Sequence, residues 1–460
     1  MPPTPASFHQ ALTAAAVAAG LALPLPTLAR KQTDVAAEAA SKPAVRKKAR
    51  KAAPAARDGD AERRLLEISR LTAQGRAREA LPLAERLVRD HPNFQLAQLT
   101  LGDLLAARAR PVARVGDVQP QPAAPAQPPE PLPGLRFATA IAAPRPQTPA
   151  GAAPLPEAAT QTLASLRSEL RLRVDSSKAP PPAGSIPSQF LQLPTRTRHA
   201  IAMDASRSRL YLFENTDRGL VLLADYYASV GKLGTDKVVE GDQRTPLGVY
   251  FITSRLDPAT LRDFYGAGAL PINYPNPLDR SRGKTGSGIW LHGTPPEQFS
   301  RAPLATDGCV VVANPDLQRI LRTVEPRSTP VVIAQRLQWV SPHALQAERQ
   351  SFDAVLDAWR AAKSQGDMQR LLRFYAPEFQ GLRNTGLADW THTLRAESRA
   401  LAGRDLQLKD KSLLRWTDSS DTMVVTFGEV AEGARGGAIK RQYWTRKGAH
   451  WQIFFEGVIG

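Results

Sequence analysis

The sequence predicts a multidomain protein in which a mostly-β domain lies between an N-terminal helical segment and a C-terminal α+β domain. Apolar residues recur at helical spacing over residues 61–110. Short apolar runs bounded by turn residues fill residues 195–338, and a long amphipathic helix followed by alternating strands fills residues 345–460. A chain of 460 residues with 42% hydrophobic residues can form about three cores, which excludes a wholly disordered protein.

The basic charge of the chain favours an anionic partner. Its 60 Lys and Arg residues outnumber 43 Asp and Glu residues, for a formal net charge of +17. Nucleic acid, acidic lipid head groups and a carboxylate-rich polymer all fit this charge. Much of the excess lies in predicted linkers, and no basic module interleaved with aromatic residues is present, so we expect no nucleic-acid partner. The single cysteine excludes an intrachain disulfide framework and a Cys-rich zinc site.

Residues 1–29 have the features of a signal peptide. An apolar stretch over residues 11–23 is followed at 27–29 by small and apolar residues typical of a cleavage site. We therefore expect an exported protein of the periplasm. Residues 1–10 contain no Lys or Arg, so an uncleaved anchor that attaches the protein to the inner membrane is the alternative.

Two predicted linkers flank the N-terminal helical segment. The first, residues 30–60, is basic, and the second, residues 111–160, is rich in proline. The helical segment between them, residues 61–110, resembles one tetratricopeptide helix pair around Gly75. One such unit cannot bury its own apolar face, so we expect it to pack on another part of the chain or on a protein partner. Residues 161–194 are predicted to form a short helix and a connector.

Cys309 is the candidate nucleophile, and His292 is its candidate base. His292 ends a predicted apolar strand, and Cys309 follows 17 residues later. A neighbouring imidazolium would lower the pKa of the thiol below its free value of about 8.5 and populate the thiolate at neutral pH. Gly308 lets the backbone approach substrate closely, so the N–H groups of Gly308 and Cys309 are the candidate oxyanion donors. The alternative is that both side chains are inert core residues.

A helix is predicted shortly after the candidate nucleophile. Asn314 is a favourable N-cap residue, and Pro315 is favourable at the first helical position. We expect this helix to span residues 314–324, beginning five residues after Cys309.

Two ordered blocks of residues resemble the catalytic domain of the YkuD-type L,D-transpeptidases. The first is His292-Gly293 followed by the block at 306–309, which is similar to the family's histidine and its Ser/Thr-x-Gly-Cys motif. The second is the block at 241–250, which is similar to the family's Gly-Asp-x-x-Thr-Pro-x-Gly-x-Phe/Tyr strand. The resemblance covers roughly residues 197–335 and implies a β-sandwich-like catalytic domain.

The resemblance implies a cysteine acyl-enzyme mechanism on peptidoglycan, without a metal or another cofactor. Cys309 would attack the carbonyl of the L-centre residue of a stem peptide, usually meso-diaminopimelate, and release a D-amino acid. His292 would take the thiol proton and pass it to the leaving amine, and the backbone carbonyl of Gly293 would orient the imidazole. An amine acceptor gives transpeptidation, water gives L,D-carboxypeptidase activity, and reversal on a lipoprotein link gives amidase activity. The alternative of another class is a non-catalytic scaffold that binds the cell wall.

Stem peptides carry free carboxylates, so we expect cationic residues beside the cleft. Arg244, Arg282 and Arg301 are the candidates because they lie near the motifs in the sequence. Thr306 is a further candidate for substrate binding.

Two features keep hydrolysis open as the outcome of the reaction. Val311 stands where many members of the family carry Arg or Asn, two residues after the cysteine. Over residues 345–460, the order of helices and strands resembles the NTF2-like fold, which is present in members of the family that trim stem peptides.

Overall fold

The computed structural model describes residues 59–107, 157–401, 403–417 and 421–459. The predicted signal peptide, nearly all of the basic linker and most of the proline-rich linker lie outside these ranges. In the described part of the chain, no helix combines the length and the apolar character needed to cross a membrane.

Helices and strands are numbered separately, in chain order. Within the described ranges the α-helices are α1 (Asp60–Ala73), α2 (Ala77–Asp90), α3 (Gln95–Ala106), α4 (Glu157–Lys178), α5 (Pro277–Ser281), α6 (Asn314–Thr323), α7 (Gln346–Ser364), α8 (Met368–Leu372) and α9 (Leu387–Leu401). The strands are β1 (Ile186–Pro187), β2 (Phe190–Gln192), β3 (His199–Asp204), β4 (Arg209–Thr216), β5 (Gly219–Gly231), β6 (Gly248–Phe251), β7 (Ala269–Pro271), β8 (Trp290–His292), β9 (Leu304–Thr306), β10 (Val310–Val312), β11 (Pro330–Ala334), β12 (Trp339–Val340), β13 (Tyr375–Gly381), β14 (Leu406–Trp416), β15 (Thr422–Ala431), β16 (Ala438–Lys447) and β17 (His450–Val458).

The mostly-β domain is built on a nine-stranded sheet. The strand order is β6-β11-β3-β4-β5-β10-β8-β7, and β9 pairs with β5. On β3, Ile201 and Met203 belong to a core that includes α6, whereas Ala200 and Ala202 belong to a second core shared with the C-terminal domain. Both faces of this strand are therefore buried, and the small alanine side chains let the C-terminal sheet pack closely.

The N-terminal helices pack on one another and on the mostly-β domain. Leu65 of α1 and Leu170 of α4 share a core with Phe299, which lies in the loop between β8 and β9. Gly75 has a φ of +74° in the turn between α1 and α2, a conformation that favours glycine. The helical segment thus covers its apolar face with this chain, and its resemblance to a tetratricopeptide unit stays a prediction.

A buried ion network ties α1 and α4 to β4. Arg173 of α4 lies 2.6 Å from Glu169 and 3.2 Å from Glu62 of α1. Arg209 of β4 lies 2.6 Å from the same Glu62 carboxylate. Removing one member of such a network leaves an uncompensated buried charge, so the network holds the helices against the sheet.

The connector after α4 contributes strands to two sheets. β2 pairs with β14 and completes the C-terminal sheet, whose order is β13-β17-β16-β15-β14-β2. β1 pairs with β12 near the end of the mostly-β domain. β1 has two residues and β2 has three, which are too few to show alternation in the sequence. α4 has 22 residues and is longer than the short helix predicted there.

The C-terminal domain combines helices with the six-stranded sheet. Trp359, Trp390 and Trp444 lie in the core between the helices and one face of the sheet. Leu414 and Trp416 extend from the other face into the core shared with the mostly-β domain. The predicted class is thus confirmed, with an N-terminal helical segment, a mostly-β domain and a C-terminal α+β domain.

Candidate active site

Cys309 and His292 lie on neighbouring parallel strands. In the pairing of β8 with β10, Leu291 is opposite Val310 and His292 is opposite Val311. Cys309 directly precedes β10, and its sulfur is next to Trp290 on β8, as a hydrogen bond shows. Leu291 and Val310 point into the apolar core, so side-chain alternation places His292 and Cys309 together on the opposite face. The structure therefore brings the two candidate catalytic residues to one side of the sheet.

The thiol of Cys309 has polar backbone neighbours. The N–H of Trp290 donates to Sγ at 3.4 Å, and the thiol donates to the carbonyl of Gly288 at 3.5 Å. The residue is partly exposed. Burial raises the pKa of the thiol, and the Trp290 N–H and the positive charge of Arg301 offset part of this rise. The group therefore rests as a thiol at neutral pH.

The imidazole of His292 is buried with a defined orientation. Its Nδ1 lies 2.7 Å from the carbonyl oxygen of Gly293, so Nδ1 carries the proton in the neutral ring and Nε2 is the acceptor. The ring of Tyr265 lies 5.1 Å away, edge to face, and the ring of Phe264 lies 5.7 Å away. The pKa of His292 is lowered to about 4, chiefly by burial and also by the charge of Arg301, against the raising effect of the Gly293 hydrogen bond.

The charge state of this pair differs from the sequence prediction. An imidazolium was expected beside a thiolate, but the pKa of His292 is lowered and the pKa of Cys309 is raised. Burial is the largest cause in both cases, because the charged form of each group loses hydration. The resting pair is therefore neutral.

Asn314 positions the loop that orients His292. Its Oδ1 accepts the N–H groups of Ala267 at 2.9 Å and Thr294 at 3.3 Å, and its Nδ2 donates to the carbonyl of Thr294 at 2.7 Å. A Cβ atom on Gly293 would overlap Asn314 Oδ1, so glycine is required there by close approach. The prediction of Asn314 as N-cap is wrong, because Ala313 occupies that position and the Asn314 side chain bonds to the loop. The helix ends at Thr323, one residue earlier than expected.

Thr306 braces the cysteine loop from within. Its Oγ1 accepts the N–H of Gly308 at 3.1 Å and donates to the carbonyl of Cys309 at 2.7 Å. The side chain is buried, so the prediction that Thr306 binds substrate is wrong. The Gly308 N–H is also committed to this hydroxyl, which removes it from the predicted oxyanion pair. The N–H of Cys309 is the remaining candidate of the two.

The upstream block, residues 241–250, holds the same loop from the other side. Thr245 donates to the carbonyl of Gly308 at 2.9 Å and accepts the N–H of Gly231 at 2.9 Å. Gly308 has a φ of +124°, and a Cβ there would lie 2.7 Å from the carbonyl oxygen of Arg244. Glycine is therefore required at 308 by conformation and by space.

Asp242 shapes the turn that precedes Thr245. Its carboxylate accepts the backbone N–H groups of Val238, Val239 and Arg244, and it pairs with the buried ammonium of Lys237 at 2.8 Å. These bonds lower the pKa of Asp242 to about 2, against the raising effect of burial. A carboxylate bound in this way stays ionised and organises the turn.

Of the three candidate cations, Arg301 is the one whose charge acts on the pKa of both reacting groups. Its guanidinium lies 4.5 Å from the centre of the Phe264 ring. Arg244 is exposed, and its Nη1 donates to the carbonyl of Thr235 at 3.0 Å. Arg282 lines a separate groove of about 540 Å³ between the mostly-β and C-terminal domains.

No group of three or more His, Cys, Asp or Glu side chains in the described ranges could hold a metal ion.

Comparison with protein families assigns both folded domains after the helices. Residues 198–333 match the YkuD family, the L,D-transpeptidase catalytic domain. Residues 351–457 match the Cds6 C-terminal NTF2-like domain. The chain therefore contains a YkuD-type L,D-transpeptidase domain followed by an NTF2-like domain, which confirms both resemblances.

Three solved structures are similar to parts of this chain. Bd1075 of Bdellovibrio bacteriovorus has 26% sequence identity and a TM-score of 0.51, and the match covers 60% of this chain and 98% of that chain. Pgp2 of Campylobacter jejuni, a helical cell shape determining protein, has 20% identity and a TM-score of 0.46, with 56% and 91% covered. An L,D-transpeptidase from Mycobacterium smegmatis has 13% identity and a TM-score of 0.19, with 30% and 58% covered. A search of curated proteins found no match.

Proposed function

We propose that this protein is a peptidoglycan-modifying cysteine acyltransferase of the L,D-transpeptidase type, acting on stem peptides through a Cys309 thioester. One observation carries the proposal. Within the matched domain, the thiol of Cys309 and the imidazole of His292 lie on one face of adjacent strands, away from the apolar core. The YkuD family acts on peptidoglycan, so a stem peptide is the expected substrate.

The neutral pair defines how the acyl-enzyme would form. His292 Nε2 accepts the thiol proton as Sγ bonds to the carbonyl carbon of the L-centre residue. The carbonyl electrons move to oxygen, and the Cys309 N–H donates to the oxyanion. The C–N bond then breaks, the leaving amine takes the proton from the imidazolium, and the thioester remains. The lowered pKa of His292 favours this last proton transfer, from the imidazolium to the leaving amine.

The acceptor of the acyl group decides which reaction of the family this protein performs. An amine that attacks the thioester gives a new crosslink, and water gives L,D-carboxypeptidase activity. Attack on a lipoprotein link gives amidase activity. Val311, where many members of the family carry Arg or Asn, is buried and gives no polar group for an acceptor.

A non-catalytic scaffold is the rival of another class. An inert structural cysteine packs among hydrocarbon side chains. Here Sγ contacts the N–H of Trp290 and the carbonyl of Gly288, and the residue is partly exposed. These contacts favour the enzyme.

The proposed compartment follows from the substrate and the N-terminal sequence. We propose that the protein is exported to the periplasm, where peptidoglycan lies, through the signal peptide predicted at residues 1–29. α4 and Phe299 of this chain cover the apolar face of the N-terminal helices. A protein partner for these helices is not needed to bury that face and stays a prediction.

The test is covalent labelling of the full chain by a carbapenem, read by intact mass. Because the chain has one cysteine, a thiol adduct reports on Cys309 alone. We expect one adduct on the wild type, none on Cys309→Ala, and slower labelling of His292→Gln. His199→Gln is the matched control. His199 is also a buried histidine on a strand, but it pairs with Glu325 at 3.0 Å and not with a group of the site. A folded wild type without an adduct would favour the scaffold.

Incubation with purified sacculi then identifies the acceptor. A gain of tripeptide stems indicates water, new dimers indicate an amine, and released lipoprotein fragments indicate the amidase reaction.

A further inference from the structure

Arg301 stands beside the reacting groups and forms no ion pair in the described ranges, although the charge of Asp307, which pairs with Lys232, acts on it. Its guanidinium lies 4.5 Å from the centre of the Phe264 ring, which itself lies 5.7 Å from the His292 ring. Its charge acts on both His292 and Cys309. Within the described ranges, no carboxylate forms an ion pair with it, and its buried Nε has no hydrogen-bond partner.

Two buried arginines of this chain pair with carboxylates, and a third, Arg441, donates Nε to Thr426 Oγ1 at 2.9 Å. Arg173 pairs with Glu62 and Glu169, and Arg209 pairs with Glu62 and Asp225. A buried N–H group without an acceptor is unfavourable, so its retention calls for an explanation. An anionic substrate group that enters the cleft and bonds to Arg301 provides one.

The backbone around Arg301 is held firmly. The Phe299 ring stacks on Phe94, the residue before α3, with 4.2 Å between centres, and Ser300 Oγ donates to Glu169 of α4 at 2.6 Å. Tyr227 of β5 donates its hydroxyl proton to the carbonyl of Arg301 at 2.8 Å. The N-terminal helices and β5 thus fix the loop before substrate binds, which lowers the entropy cost of binding.

We propose that Arg301 is a specificity-determining residue that binds a carboxylate of the substrate, and that this is the terminal carboxylate of the leaving D-amino acid. The proposal rests on the proposed function. His292 must reach the nitrogen of the broken bond, and the terminal carboxylate is attached to that nitrogen through a single carbon. A cation close to both His292 and Cys309 is therefore near this carboxylate. The side-chain carboxylate of meso-diaminopimelate lies several bonds further from the reacting carbonyl.

This contact would restrict the donor to stem peptides with a free end. A guanidinium can form two parallel hydrogen bonds to a carboxylate, and an amide or a continuing chain cannot accept them in the same way. The N-terminal helices would then contribute to substrate selection, because they hold the loop that carries Arg301.

The experiment measures kcat/KM of the full chain on three tetrapeptide stems. One has a free terminal carboxylate, one has a terminal amide, and one has an amidated diaminopimelate side chain. We expect the wild type to prefer the free terminal carboxylate over the terminal amide by about 10- to 100-fold. Arg301→Gln should lower kcat/KM on the free terminal carboxylate more than on the terminal amide and so abolish this preference, and Arg301→Lys should keep part of it. Arg322→Gln, which changes an exposed arginine of α6, should keep all of it.

Each other outcome has a defined meaning. An unchanged preference in Arg301→Gln would overturn the inference while leaving the proposed function intact. A loss that follows the diaminopimelate amide instead would assign Arg301 to the other carboxylate and overturn the leaving-group assignment. No Cys309-dependent cleavage of any stem would overturn the proposed function itself. Arg301→Lys and thermal melting of each variant separate a binding defect from misfolding.

Discussion

The carbonyl of Gly293 accepts the Nδ1 proton of His292 at 2.7 Å, and Asn314 fills the space that a side chain on Gly293 would need. The two contacts fix the tautomer of the imidazole and the path of the loop together. Nε2 is thereby left as the acceptor on the face that Cys309 shares. The orientation of the base thus depends on an asparagine of the following helix.

Replacement of Asn314 should therefore reduce activity. Asn314→Ala removes the bonds to Ala267 and Thr294, and we expect carbapenem labelling to slow about 10-fold or more, with stability lowered by about 1–3 kcal/mol. Asn215→Ala is the matched control, because Asn215 donates to the carbonyls of Pro194 and Thr197, both at 3.0 Å, outside the site. The control should lose stability but keep its labelling rate. Equal labelling of the two variants would show that Asn314 has no positioning role.

Thr245→Val should loosen the cysteine loop. The change keeps the shape of the side chain but removes the bridge between the N–H of Gly231 and the carbonyl of Gly308. We expect a loss of about 1–3 kcal/mol, because both groups are buried, and slower labelling of Cys309. Thr100→Val is the comparison, since Thr100 is a buried threonine whose hydroxyl donates to Leu96 within α3. The two variants should lose similar stability in urea unfolding. Only Thr245→Val should also slow the labelling of Cys309.

The raised pKa of Cys309 predicts the pH dependence of alkylation. Iodoacetamide reacts with the thiolate, so the rate should rise steadily through and above pH 8, without a plateau near neutral pH. A thiolate stabilised by an imidazolium would instead give a plateau between about pH 5 and pH 8. Intact mass measured against time at each pH distinguishes the two curves.

The lowered pKa of His292 predicts a loss of stability in acid. The folded-state pKa is about 4 and the unfolded value is about 6.5, so between them the unfolded chain binds the proton that the folded chain excludes. The stabilisation is complete above about pH 6.5 and is lost as the pH falls toward 4. Between pH 7 and pH 4.5, we expect the wild type to lose about 2 kcal/mol more than His292→Gln in urea unfolding. Equal losses would contradict the burial of a neutral imidazole.

The sequence predicts those features that depend on the local order of residues along the chain. Spaced motifs and strand alternation predicted that His292 and Cys309 share a site and that the chain has three folded parts. The role of Asn314 was missed, because an Asn-Pro pair at a helix start has the same local pattern as an N-cap. Thr306 was assigned to substrate because only the folded loop shows its hydroxyl bonded to Gly308 and Cys309.

Properties that depend on burial could not be predicted from the sequence either. The neutral state of the pair arises from the packing of Phe264 and Tyr265 around His292, which come from a different part of the chain. β2 contributes to the C-terminal sheet with three residues, a length that carries no periodic signal. Both features are tertiary, so neither local propensity nor motif spacing could predict them.

Ala200 and Ala202 of β3 share one core with Leu414 and Trp416 of the C-terminal sheet. A chain truncated after β12 would leave those alanines facing water, and β2 would lose its neighbouring strand. The two domains are consequently joined by a shared hydrophobic core and not by a flexible linker. The distance between the C-terminal sheet and the sulfur of Cys309 is therefore set by side-chain packing and not by the length of a linker.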